Sequence, residues 1–215
     1  MFDIYREAMQ MEKQLIISVG REYGSGGHEI AEKLSKHYGI QLLDHNLLDE
    51  IAAEKNMDAA NWKELDEKHK NRLSSRTVRG YSSSPEENLY LIQFDYLKNK
   101  ASNGDSFVVV GRCSETILKE FDSLVSIFVL GDMEKKVERI MRLYQLSESQ
   151  AVKKIREKDW KRRRYHNSFC EGKWGASRNY DLSINIEGID AIRHMLKKME
   201  RLQHELNQLR RQLGK

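Results

Sequence analysis

The sequence is short of proline and cysteine, and each shortage narrows the reading. Pro85 is its one proline, so little in the chain forbids helix. Cys113 and Cys170 are its two cysteines. They offer neither a disulfide framework nor zinc-site spacing, and two reduced thiols are expected. No apolar run approaches about 20 residues, so no segment is long enough to span a bilayer as a helix. The opening MFDIYREAMQMEKQ is charged and has no apolar h-region, which argues against a signal peptide. A cytoplasmic protein with no membrane partner is the expectation.

What the chain has instead is charge. Of 215 residues, 33% are charged and 39% hydrophobic, which suits one globular unit with a smaller insertion. The net charge is only +4, so the placement of basic residues matters more than their total.

Five runs read as strands: 15–19, 41–44, 107–111, 125–130 and 180–186. Three of them, LIISV, FVVVG and VSIFVL, are nearly continuous apolar stretches, as in parallel strands covered on both faces. Helical patterns lie between. Ile30, Leu34 and Tyr38 recur every four residues. Asp132 can cap a helix that carries Val137, Ile140, Met141 and Tyr144 on one side. Ser147 and Gln150 form a capping-box pattern. The alternation predicts an α/β fold with a parallel sheet.

Residues 51–103 break the rhythm and hold no convincing strand. Ser84-Pro85-Glu86-Glu87 reads as a helix start, with a cap, a first-turn proline and acids at the positive end of the dipole. The segment is expected to be a mainly helical insertion with a looser serine-rich part at 74–84. From Ile192 onward, Met195, Met199, Leu202, Leu206, Leu209 and Leu213 follow at alternating steps of three and four. This is a heptad seam. Up to Met199 it serves equally for packing on its own domain. Beyond Met199 pairing with another helix is favoured, because too little chain remains to cover it. Residues 1–14 then form an N-terminal extension, 15–190 a core and 191–215 a heptad helix.

Three features can carry chemistry. The first is SVGREYGSGGHE, where Gly24, Ser25, Gly26 and Gly27 join a strand to a helix beginning near His28. Low side-chain bulk, inward amides and a helix N-terminus suit phosphate, although glycine pairs also mark ordinary turns. The second is Val110-Gly111-Arg112 at a strand end, where ligands of doubly wound sheets lie and an arginine can fork onto phosphate. A surface ion pair is the plainer alternative. The third is KDWKRRRYH, residues 158–166, after the capped helix. Lys158, Arg162 and Tyr165 share one helical face, and Asp159 and Arg163 another. Such a run fits a solvated face, a nucleic-acid patch, or an arginine lid over a triphosphate.

In this order the three features resemble those of nucleoside monophosphate kinases, and specifically the cytidylate kinase-like family. SVGREYGSGGHEIAEKL is similar to that family's opening loop and helix. LLDHNLLDEI, VVVGRCSETIL, IREKDWKRRRYHNSF, KWG and NYDLSIN resemble its later segments, over roughly residues 14–190. The resemblance implies a three-layer P-loop fold with a five-stranded parallel sheet. A helical acceptor-site insertion (51–103), an arginine-rich lid (147–175) and a coiled-coil-like C-terminal helix complete it. It implies ATP and Mg²⁺ as cofactors and a nucleoside monophosphate, CMP or dCMP, as acceptor. Gly24, Ser25, Gly26 and Gly27 would wrap the donor phosphates. Asp44 would lie near the acceptor, and Arg112 would hold its phosphate. Asp159, Arg162 and Arg163 would belong to the lid.

The chain departs from the well-studied cytidylate kinases at three places. They carry lysine where this chain has Gly27, threonine in place of Glu29, and aspartate in place of Cys113. Arg21 or His28 is then expected to supply the missing positive charge, and Glu29 to hold a magnesium-bound water. The lysine-free loop is usual in the kinase-like family. Two other readings stay open: a nucleotide sensor with little turnover, and, with less weight, a basic nucleic-acid binder. A homo-oligomer through the C-terminal helix is expected.

Overall fold

The structure, a computed structural model, describes residues 14–44, 46–54, 77–78, 81–82, 85–185 and 189–212. Its order is β1 (Ile16–Arg21), α1 (Gly27–Tyr38), β2 (Gln41–Leu43), α2 (Leu47–Glu54), β3 (Thr77–Val78), β4 (Tyr81–Ser82) and α3 (Pro85–Ser102). There follow β5 (Phe107–Val110), α4 (Ser114–Ile117), β6 (Leu124–Leu130), α5 (Met133–Tyr144), α6 (Glu148–Phe169), β7 (Leu182–Asn185) and α7 (Ile189–Gln212). Five strands form one all-parallel sheet in the order β2-β5-β1-β6-β7.

Alternation along the strands builds three layers. Ile17 and Val19 of β1, with Val108, Val110, Ile127 and Val129, face one apolar cluster with Ile30, Ala31 and Leu34 of α1 and Met199 of α7. Ile16, Phe107 and Val109 face the other, with Leu43, Leu47, Ile51, Leu89 and Leu97. A third, smaller cluster joins α5 to α6 through Val137, Ile140, Ala151 and Ile155. This is the three-layer α/β arrangement of P-loop kinases. Among the described residues, no helix is long and apolar enough to cross a membrane.

The strand order has a consequence for the site. The chain leaves β1 toward β2 on one side, and leaves β5 toward β6 on the other. Adjacent strands whose connections diverge open a crevice beyond their carboxyl ends. Here that crevice lies between β1 and β5.

Several local expectations change. β1 runs on to Arg21, two residues past the predicted end. The 51–103 segment is not strand-free: β3 and β4 pair antiparallel, Thr77 with Ser82 and Val78 with Tyr81. Threonine, valine and tyrosine favour strand, but two-residue pairs inside a serine-rich stretch give no visible period. The serine proposed to start the next helix, Ser84, lies outside the described residues, although α3 does begin at Pro85. Asp132 occupies the cap position of α5 without a side-chain cap bond; its Oδ1 instead accepts from Asn185 Nδ2 at 2.9 Å. The Ser147 and Gln150 capping box forms as read, with Ser147 N–H donating to Gln150 Oε1 at 2.9 Å.

Candidate active site

The glycine turn follows directly from β1. Gly24 (φ 85°) and Gly26 (φ 80°) occupy the left-handed region, where a side chain is strained. Gly26 stands at the cap position of α1, and no side chain caps that helix. The first turn therefore presents its amides to whatever acceptor lies in front of them. Ser25 Oγ donates to the Glu22 carbonyl at 2.9 Å and folds inward. Gly27 has a different reason to be glycine. A Cβ there would lie 2.5 Å from Arg21 Cβ and 3.0 Å from Arg21 Cγ. One at Gly111 would meet Arg21 Nη1. Two glycines, one on each side, leave room for a single arginine.

Arg21 reaches a cavity of about 340 Å³ in the β1–β5 crevice, lined also by Asp44, Arg112 and Arg162. Lys158, Lys161 and Arg164 complete its basic wall. Arg112 enters from an unusual turn. Gly111, Arg112 and Cys113 all have positive φ, at 77°, 62° and 56°. For the two non-glycine residues this costs about 1–3 kcal/mol each. The turn is held by bonds to β1. Gly111 N–H donates to the Val19 carbonyl at 3.0 Å. Ser114 Oγ donates to the Gly111 carbonyl at 2.7 Å and lies 2.6 Å from buried Ser18 Oγ. Arg162 arrives from α6 and donates from Nη1 to the Arg21 carbonyl at 3.1 Å.

The cavity is electrically uncomfortable. Burial holds the Arg21 guanidinium well below its ordinary pKa; Arg162 and Arg112 lower it further, while Asp44 and Asp159 oppose them. Burial also lowers Arg162, with Asp159 opposing. A guanidinium does not give up its proton in a protein. The directions therefore express the cost of crowding buried cations, a cost that a bound anion relieves.

Other predicted residues sit elsewhere. Gly24, Ser25, Gly26 and Gly27 do not line the cavity, and of the four Gly27 lies directly against Arg21. His28, half-exposed, lies 3.3 Å from Glu32 and 3.5 Å from Asp44. Glu29 is taken by an ion pair with Arg139. Asp159 does not line the cavity. Its Oδ1 accepts from Tyr23 N–H at 2.6 Å and its Oδ2 lies 3.5 Å from Lys136 Nζ. Burial raises its carboxyl pKa, opposed by the Tyr23 bond and by Lys136. Arg163 does not line the cavity itself; its guanidinium lies 5.6 Å from the ring of Trp174, which does.

The sequence reading missed the contribution of α5. Lys136 is buried at 5% exposure, and its Nζ lies 2.9 Å from Glu22 Oε2. Its stem packs against Gly24, where an added Cβ would sit 3.2 Å from Lys136 Cβ. Arg139 lies beside Gly26. The available signal was MEKKVERI, with two cations three residues apart just after a buried strand. Also missed was a buried group beneath Arg112. His166 Nε2 and Glu115 Oε1 are 2.6 Å apart, and the Cys170 sulfur lies within 4.8 Å of both side chains' donor atoms. Both thiols are free and buried.

A sequence profile of the cytidylate kinase-like family matches residues 16–188. A profile of MerR HTH family regulatory proteins matches only residues 176–211, which here hold β7 and the single long helix α7. No curated protein matches the chain. Among solved structures, a protein from Eubacterium ventriosum is 34% identical, with a TM-score of 0.68 over 87% of this chain and 99% of its own. A gluconokinase from Sinorhizobium meliloti is 10% identical, with a TM-score of 0.53 over 91% of this chain and 98% of its own. A Thermus thermophilus protein is 15% identical, with the same TM-score of 0.53 over 88% and 98%. These two share the fold alone. The family profile runs from the first residue of β1 past the end of β7, taking in every strand of the parallel sheet, the glycine turn and the whole arginine helix, and on that ground the chain belongs to the cytidylate kinase-like family.

Proposed function

We propose that the protein transfers the γ-phosphoryl group of ATP to a nucleoside monophosphate, with CMP or dCMP the preferred acceptor. The kinase-like P-loop fold supports phosphoryl transfer in general. The observation that carries the finer reading is the convergence of Arg21, Arg112 and Arg162 on one cavity beside an uncapped helix N-terminus.

The donor phosphates fit the turn at residues 24–27, where amides and the α1 dipole favour negative charge. Mg²⁺ would come with ATP, held by its phosphates and by Asp44, the aspartate that lines the cavity. When bound, it spreads the charge of the transferring group. Glu29, already paired with Arg139, is less suited to that task. Arg21 takes the place of the loop lysine: its stem uses the space that Gly27 leaves open, and its guanidinium lies beside Gly111. Arg112 forks onto the acceptor phosphate. Arg162 spans donor and acceptor from the lid helix, which also excludes water. Asp159 is a positioning residue that ties α6 to the loop through Tyr23 and Lys136. Arg163 joins the phosphates only when it leaves Trp174. Positioning and charge offset are what this chemistry asks of a protein.

A second reading has its own observation. Because the loop itself carries no lysine, it can bind ATP as a sensor without fast transfer. ADP release separates the two, measured with ATP-Mg²⁺ against CMP, dCMP, UMP, dTMP, AMP, GMP and gluconate. Turnover on one nucleotide, reduced about 10²–10³-fold by Arg112→Ala, supports the kinase. ATP binding without turnover on any of them removes this reading in favour of the sensor or of another acceptor. We also propose self-association through α7, because Leu202, Leu206 and Leu209 are 44%, 42% and 54% exposed.

A further inference from the structure

Beneath Arg112 lies a buried group that the phosphoryl-transfer reading does not use. Glu115, His166 and Cys170 each place one donor atom within 4.8 Å of the others. Their exposures are 6%, 5% and 8%. We propose that Glu115, His166 and Cys170 form a transition-metal site, best suited to Zn²⁺ with one position left to water, that fastens the end of α6 to the turn bearing Arg112.

The donors are Glu115 and the two ends of the H-x₃-C segment 166–170. On α6 the four-residue step puts His166 and the cap residue Cys170 on one side of the helix end. Glu115 stands in the first turn of α4, just after the left-handed turn at residues 111–113. A thiol, an imidazole and a carboxylate make a mixed soft and borderline set. Such a set selects Zn²⁺ over Mg²⁺, which prefers oxygen alone.

The surroundings also suit a metal. His166 Nδ1 lies 3.3 Å from Asn167 Oδ1, which can fix the ring and leave Nε2 for the ion. The Thr116 hydroxyl donates to Glu115 Oε1 at 3.4 Å, an outer partner for a ligating carboxylate. Cys113, Glu115 and His166 line the arginine cavity, so an ion has a route in. On binding, the Cys170 thiol proton and the proton between His166 and Glu115 pass to solvent, and three metal–ligand bonds from the protein form in place of the hydrogen bond between them. No electron transfer is involved.

The test is a titration of the full chain, reduced and stripped with chelator, with Co²⁺ as a spectroscopic stand-in. Expected are one Co²⁺ per chain, near-ultraviolet thiolate-to-cobalt charge transfer, strong tetrahedral visible bands, and loss of both on adding Zn²⁺. Cys170→Ser should remove most of the charge-transfer band. Glu115→Gln, which keeps the shape of the site, should weaken binding about 10–100-fold. Circular dichroism of each variant shows whether it is folded, and the wild-type titration stands without them. Absence of a thiolate band in the reduced wild-type protein overturns the site, as does an unchanged band in folded Cys170→Ser. So does loss of both thiols on mild oxidation with no metal bound by the reduced chain, which would make the pair a disulfide couple.

Discussion

A lysine at position 27 has nowhere to begin. Its Cβ would fall 2.5 Å from that of Arg21, so restoring the residue usual in cytidylate kinases should harm this chain. Gly27→Lys is expected to cost about 1–3 kcal/mol in thermal unfolding and to bring no gain in ATP affinity. Arg21→Ala should lower turnover about 10²-fold. The double variant Arg21→Gly/Gly27→Lys should be more stable than the two single costs predict, by about 0.5–3 kcal/mol, because the Cβ that the lysine would meet is then gone. Simple additivity would mean that the two positions do not share the space. The crowded cations lead to a second expectation. Pyrophosphate at about 100 times its dissociation constant should add about 2.7 kcal/mol of stability, well beyond chloride at equal ionic strength. Arg112→Ala should remove most of that gain. An equal response to the two salts would show that the cavity does not select phosphate.

At the scale of elements, α6 depends on its start. Ser147→Ala should cost about 1 kcal/mol and speed amide exchange in the first turn, because it removes half of a reciprocal cap. Unchanged exchange there would show that α6 is held from its far end and by α5 alone. That cap was legible because it is local: four residues contain both partners. The parallel strands were legible for a related reason, since LIISV, FVVVG and VSIFVL are buried on both faces and read as unbroken apolar runs. The β3–β4 pair was not, being too short to show a period. The site was legible only in part. Gly24, Arg112 and Arg162 stand in recognisable local patterns. Lys136 and Glu22, in contrast, meet across 114 positions, and nothing local in either segment marks the other. Cys113 and Cys170 escaped in the same way. Each looks like an isolated thiol until the end of α6 comes down on the turn after β5.

For the whole molecule, α7 is divided along its length between a buried and an exposed part. Met199, 5% exposed, belongs to the sheet's apolar cluster, with Leu196 packed against it. Past it the seam turns outward. Truncation after Arg201 is therefore expected to leave stability nearly unchanged and to reduce the mass seen by light scattering to that of one chain. An unchanged mass would remove α7 as the associating element. Truncation after Ile192 also removes Met199, and should cost a further 2–5 kcal/mol or so through the lost core contact.

The two ends of α6 differ in how they are held, and this has a mechanical consequence. The helix has 22 residues, a rod of about 33 Å at about 1.5 Å per residue. Its far end is pinned at His166 and Cys170, and its near end packs on α5. Such a rod is a lever. For any rotation about the pinned end, Arg162, about 12 Å away, travels about a third as far as Ser147. The near end carries α5 with it, and α5 bears Lys136 and Arg139 against the glycine turn. One swing would thus act on both sides of the reaction with unequal stroke, short at the acceptor cavity and long over the donor phosphates.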